Sequence, residues 1–175
     1  MGVAYCLMPN HVHLIAVPEK EDSLARAIGE AHRRYTRRVN FRAGWRGHLW
    51  QGRFGSCPMD PAHMLQASRY VELNPVRSGL VCKPWRCQWS SSRAHVEEGS
   101  DEDLVKVEPL PERVEDWKEF IMQPLEGEEK ERLRRHFRTG RLLGSEEFAK
   151  RLERQTGRRL RPGRPGRLRK IGSGE

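Results

Sequence analysis

Long apolar runs are missing from this chain. No stretch of its 175 residues approaches the roughly 18–20 consecutive apolar residues that span a bilayer. His11 and His13 interrupt the only early apolar run, which argues against a secretory leader. Cysteine is sparse. Cys6, Cys57, Cys82 and Cys87 contain no C-x-x-C pair for zinc and are too few for a disulfide scaffold. They are expected to be reduced thiols, mostly packed, in a cytoplasmic, nucleoid-associated protein with no membrane partner. Aromatic residues make up 7% and apolar residues 36% of the chain, so the core must be modest and the surface charged. Acid is the minority sign, with 24 Asp and Glu against 33 Lys and Arg. The resulting pI of about 9.9 suits a polyanionic partner, nucleic acid above all.

The most informative residues stand between two apolar runs, Val3 to Leu7 and Leu14 to Val17, with Pro9 and Asn10 as the turn signal. Residues 2–8 and 11–17 read as a hairpin. Side chains alternate faces along a strand, so His11 and His13 share one side and Val12 takes the other. Two imidazoles so placed make a bidentate metal site. They equally suit the solvent face of an edge strand, and spacing alone leaves both readings open.

After Pro18 and a charged run, Asp22 or Ser23 can cap a helix with apolar Leu24, Ile28, Ala31, Tyr35 and Val39 at helical spacing. Its other face carries Arg26, Arg33, Arg34, Arg37 and Arg38, either a solvated face or a phosphate-contacting one. His48 to Ser56 reads as a strand, with Trp50 and Phe54 as core and Trp45 as a base-stacking alternative. Asp60 before Pro61 is a helix start. Pro75 disfavours the α conformation at Asn74, so that helix should end there. Tyr70 and Asn74, four apart, share a face.

Four stretches carry a resemblance: Met8 to Ile15, Gly47 to Phe54, Arg69 to Val81, and Trp89 to Ala94. It resumes at Leu143 to Phe148 and in the Arg-Pro-Gly run of the tail. In that order they resemble the single-tyrosine HUH transposases, closest to the REP-associated tyrosine transposases. The resemblance implies that His11 and His13 bind Mg²⁺ or Mn²⁺, with Asn74 where related enzymes place a third, amide ligand. Tyr70 would be the nucleophile. It implies a ferredoxin-like antiparallel α+β fold with helices on one face of the sheet. It also implies cleavage of single-stranded DNA near palindromic hairpins through a 5′-phosphotyrosine. An unassisted phenol is almost wholly protonated at neutral pH, so it needs cationic help. Relatives usually have an opening strand and helix before the hairpin; here those look to be missing, which would leave a sheet edge exposed.

The expected organisation is a catalytic domain at 1–95, an acidic linker with a short helix at 96–127, a helical extension at 128–157 and a basic tail at 158–175. Helices are expected near Glu115–Met122, Glu128–Arg138 and Ser145–Gln155, the last with Ser145 as N-cap and Gly157 as the stop. No internal repeat is visible. The tail, with Arg161, Arg164 and Arg167 among Pro and Gly, should be disordered alone and could follow a minor groove. Arg33, Arg34, Arg37, Arg38, Arg53 and Arg77 join them as expected DNA contacts. The expected partners are hairpin DNA and a second copy of the chain. Three functions follow: an active nuclease and strand transferase, a hairpin-binding remnant that does not cut, or a hydrolase in which the His pair activates water.

Overall fold

A computed structural model describes residues 2–97, 105, 114, 116–124 and 127–161. Strand β1 (Gly2–Leu7) and strand β2 (Val12–Ala16) pair antiparallel, with Cys6 opposite His13 and Tyr5 opposite Leu14. The hairpin read from Pro9-Asn10 is therefore present. The outer edge of β1 is not bare. Leu7 N–H donates to Trp89 O at 2.8 Å and Ser91 N–H donates to Tyr5 O at 3.0 Å, so residues 89–91 continue the sheet there. Two strands make up the sheet among the described residues, and the class is α+β.

Helix α1 (Ser23–Ala43) has none of its residues buried. Leu24, Ile28 and Val39 are half-covered, while Ala31 and Tyr35 are exposed. Asp22 occupies its N-cap position without a side-chain capping bond and instead pairs with Arg26 at 3.5 Å. Local ion pairs and a left-handed Gly44 cap support this helix more than core packing does. Residues 48–56 are not a strand. Gly47 takes φ of 95°, the segment runs through bends, and Trp50 turns back onto α1, stacking on His32 with ring centroids 3.9 Å apart. Phe54 is exposed, so neither aromatic is core.

Helix α2 (Pro61–Glu72) carries Tyr70 and begins as Asp60-Pro61 foretells: the Asp60 carboxyl accepts from His63 N at 3.0 Å. It breaks at Leu73, and a further turn, α3 (Asn74–Arg77), follows. Helical geometry thus runs past Pro75 rather than stopping before it. The proline sits in the first turn of α3, where its missing N–H has no helical acceptor to lose. A 3-10 turn (Pro84–Arg86) leads to α4 (Ser92–Val96). Three more helices follow: α5 (Trp117–Met122), α6 (Gly127–Thr139) and α7 (Glu146–Thr156). Ser145 caps α7 by accepting from Phe148 N at 3.1 Å, and Gly157 ends it at φ of 65°, as its sequence specifies.

One apolar cluster joins Val3, Ala4, Cys6 and Ile15 of the sheet to Ala67, Tyr70 and Val71 of α2. It also takes in Trp117 of α5, Leu133 of α6, and Leu143. Elements from both sides of residue 95 share this core. On the opposite face, Tyr5 packs with Ala94 and Val105, while Val12 and Leu14 stay exposed. Of the four cysteines, all are free thiols; Cys6 and Cys87 are buried, Cys57 half-buried and Cys82 exposed. Among the described residues no helix is long and apolar enough to cross a membrane.

Candidate active site

His11 immediately precedes β2 and His13 lies within it, and their rings meet edge to face with centroids 4.8 Å apart. His13 faces α2, placing its ring centroid 6.2 Å from that of Tyr70, on the last turn of that helix. Tyr70 is buried, only 7% exposed. Burial holds His13 down, with the charges of His11 and Arg77 acting the same way, and its pKa falls to about 4. At neutral pH this imidazole is uncharged and keeps a lone pair for a metal. His11 Nδ1 lies 2.6 Å from Asn10 Oδ1, an acceptor, so that nitrogen donates to the amide oxygen.

Asn74 is buried one turn beyond Tyr70, and its amide oxygen accepts a hydrogen bond from Arg77. A carbonyl oxygen has two lone pairs, so one remains for a ligand. Its Nδ2 is buried with no hydrogen-bond partner among the described residues. No cluster of three or more His, Cys, Asp or Glu suited to a metal occurs among the described residues. Any ion held here must rest on two imidazoles completed by an amide or water, a donor set compatible with a hard divalent cation.

The Arg77 guanidinium lies over the Tyr70 ring, 3.9 Å from its centroid. From α6, Arg134 stands beside Tyr70, and this neighbour is the first cause that raises its pKa. Phe137, one turn later, presents its ring to Tyr70 at 5.4 Å and to His13 at 6.4 Å. Neither Arg134 nor Phe137 was singled out as functional in the sequence. The available signal was their spacing: residues three apart share a helix face, and Leu133 and Phe137 mark the buried one.

The Tyr70 helix is pinned from behind. Glu72, fully buried, accepts from Ser91 Oγ at 2.6 Å and from Trp117 Nε1 at 3.0 Å, and also pairs with His95 Nδ1. A buried carboxyl needs such donors, and here they come from two separate segments, the α4 turn with its N-cap and α5.

The arginines expected to touch DNA are scattered. Glu30 binds both Arg33 and Arg34, at 2.7 and 2.6 Å, and these hydrogen bonds hold its pKa near 2. Arg37, Arg38 and Arg53 are exposed on α1 and the following loop. Arg161 pairs with Glu153 at 2.7 Å and Glu146 at 3.7 Å, which ties the start of the basic tail to α7. Arg164 and Arg167 lie outside the described residues.

Residues 3–74 match the family model described as Transposase IS200 like. That segment is transposase-like in sequence. It spans β1 to the first residue of α3 and so includes His11, His13, Tyr70 and Asn74, whereas Arg77, Arg134 and Phe137 fall beyond it. No curated protein and no solved structure matches the chain significantly.

Proposed function

We propose that this protein is a metal-dependent nuclease and strand transferase. It acts on single-stranded DNA at palindromic, REP-like hairpins through a 5′-phosphotyrosine at Tyr70. The observation that carries this reading is the approach of the His13 ring to Tyr70 inside a segment matching a transposase family. The REP-associated subtype rests on the motif resemblance. Net charge of +9 suits the DNA partner.

His11 and His13 would hold Mg²⁺ or Mn²⁺, with the free lone pair of the Asn74 oxygen as a third donor. When bound, the cation supplies Lewis-acid polarisation of a non-bridging phosphate oxygen. Tyr70 attacks phosphorus, the bond to the 3′-oxygen breaks, and that oxygen leaves with a proton. The Tyr70 proton passes to solvent. Burial among His13, Phe137 and α2 keeps bulk water from competing for the ester. The phosphodiester is conserved as an aryl ester, so the reverse step rejoins strands without ATP.

A labelled hairpin oligonucleotide with Mg²⁺ or Mn²⁺ tests the reading. Wild-type protein should form a covalent protein–DNA adduct, absent in Tyr70→Phe. His11→Ala should lose cleavage while largely keeping hairpin binding, and equal cleavage by that variant would sink the metal assignment. Binding without any adduct in the wild type would identify a non-cutting hairpin binder. Release of a free 5′-phosphate by Tyr70→Phe would identify a hydrolase instead.

A further inference from the structure

Two guanidinium groups converge on one phenol. Arg77 reaches Tyr70 from α3 and Arg134 reaches it from α6, two elements 57 positions apart in the chain by these residue numbers. Arg77 has an amide and an aromatic face as partners, and Arg134 has Glu131 at 2.9 Å on its own helix. Among the described residues, one carboxyl therefore answers two cations. Arg77 is lowered in pKa first by desolvation, and the charge of Arg134 pushes the same way. Like charges drawn together in a partly buried site are unfavourable unless an anion joins them. The Arg134 side chain is 49% exposed, so donors of its planar fork remain open to solvent.

We propose that Arg134, with Arg77, forms a two-guanidinium cradle for the phosphate bonded to Tyr70, making Arg134 a catalytic residue supplied from outside the family-matched segment. This rests on the nuclease reading for its reaction, while the cradle itself is a statement about anion binding. As the Tyr70 oxygen bonds to phosphorus and the 3′-oxygen departs, charge accumulates on the equatorial phosphate oxygens. Two preformed forks at the nucleophile meet that charge without reorganising. Arginine stays protonated throughout and so acts as a donor only, never as the base. Phe137, on the same face of α6, sets the helix against Tyr70 and His13 and so fixes where the Arg134 fork points.

The test uses the full chain with Arg134→Ala and Arg134→Lys, and two readouts. At saturating hairpin DNA with Mn²⁺, Arg134→Ala should form the covalent adduct about 100-fold more slowly, the usual scale for one lost preorganised donor. Its hairpin affinity should change by less than about threefold, since one phosphate contact among many is removed. Arg134→Lys should fall between, because it keeps the charge and loses the fork. In a second arm, inorganic phosphate is titrated calorimetrically without DNA, and Arg134→Ala should bind it about tenfold more weakly. An adduct rate within about twofold of wild type, or a loss confined to hairpin affinity, overturns the catalytic role. If the wild type makes no adduct, the nuclease reading fails; the phosphate titration then still decides, and equal phosphate affinity in wild type and Arg134→Ala overturns the cradle.

Discussion

The chemistry of the site turns on single side chains whose protonation is set by their surroundings. His13 is the clearest. Its folded pKa of about 4 lies below the ordinary 6.5, with burial as the first cause. Between those values the unfolded chain binds the extra proton, so stability falls as pH drops from 6.5 toward 4. His13→Gln removes that loss. Its unfolding midpoint in urea should decline less steeply over this window than that of the wild type, and identical slopes would show that His13 is not buried as described. His11 and His13 were legible as a pair because strand alternation places i and i+2 together whatever lies around them. Arg134 was not legible as a site residue: its role depends on how α6 docks, which no local pattern encodes.

At the scale of elements, the start of the Tyr70 helix is fastened to the chain that precedes α7. Asp60 N–H donates to Leu143 O at 3.0 Å, Leu143 N–H donates to Pro58 O at 2.8 Å, and Ser145 N–H donates to the Asp60 carboxyl at 2.9 Å. Burial alone would favour neutral Asp60, but the His63 and Ser145 donors outweigh it and lower its pKa. Gly144 fits this seam because it has no side chain: a Cβ there would come within 2.7 Å of Phe148 Cδ1 and 3.0 Å of Asp60 Oδ2. Gly144→Ala should therefore destabilise the fold by about 1–3 kcal/mol, read as a shift in denaturant midpoint with unchanged m-value. An unshifted midpoint would mean the seam opens freely. The helix starts at Asp60 and Ser145 were legible, because capping chemistry is local. The 48–56 segment misleads for the opposite reason. Its bulky residues suit a strand, but glycines at 47, 52 and 55 and the Trp50–His32 stack bend it onto α1.

For the whole molecule, the first 97 residues are not self-sufficient in their packing. Trp117, Ile121, Leu133 and Leu143 are 4%, 0%, 2% and 0% exposed, and all but Ile121 belong to the cluster that includes Tyr70. Removing a large core side chain costs about 2–5 kcal/mol, and a domain has only about 5–15 kcal/mol in total. A chain ended after Glu97 should therefore show no cooperative thermal transition by circular dichroism; a sharp transition would show that α5 and α6 are accessory. The α+β class was implied by the family resemblance, while the hairpin and the helices were readable from their local patterns. That the C-terminal helices complete the same core was not, since a charged, proline-bearing stretch between them reads simply as a connector.

Glu72 stands two residues after Tyr70, and its carboxyl is gripped by a serine and an imidazole at α4 and by an indole from α5. In the proposed reaction, a nucleophile mounted on so firmly bolted a helix end would stay with its own chain, and both DNA ends would be brought to it in turn. The choreography of strand exchange then belongs to the nucleic acid, and the enzyme serves as the anvil.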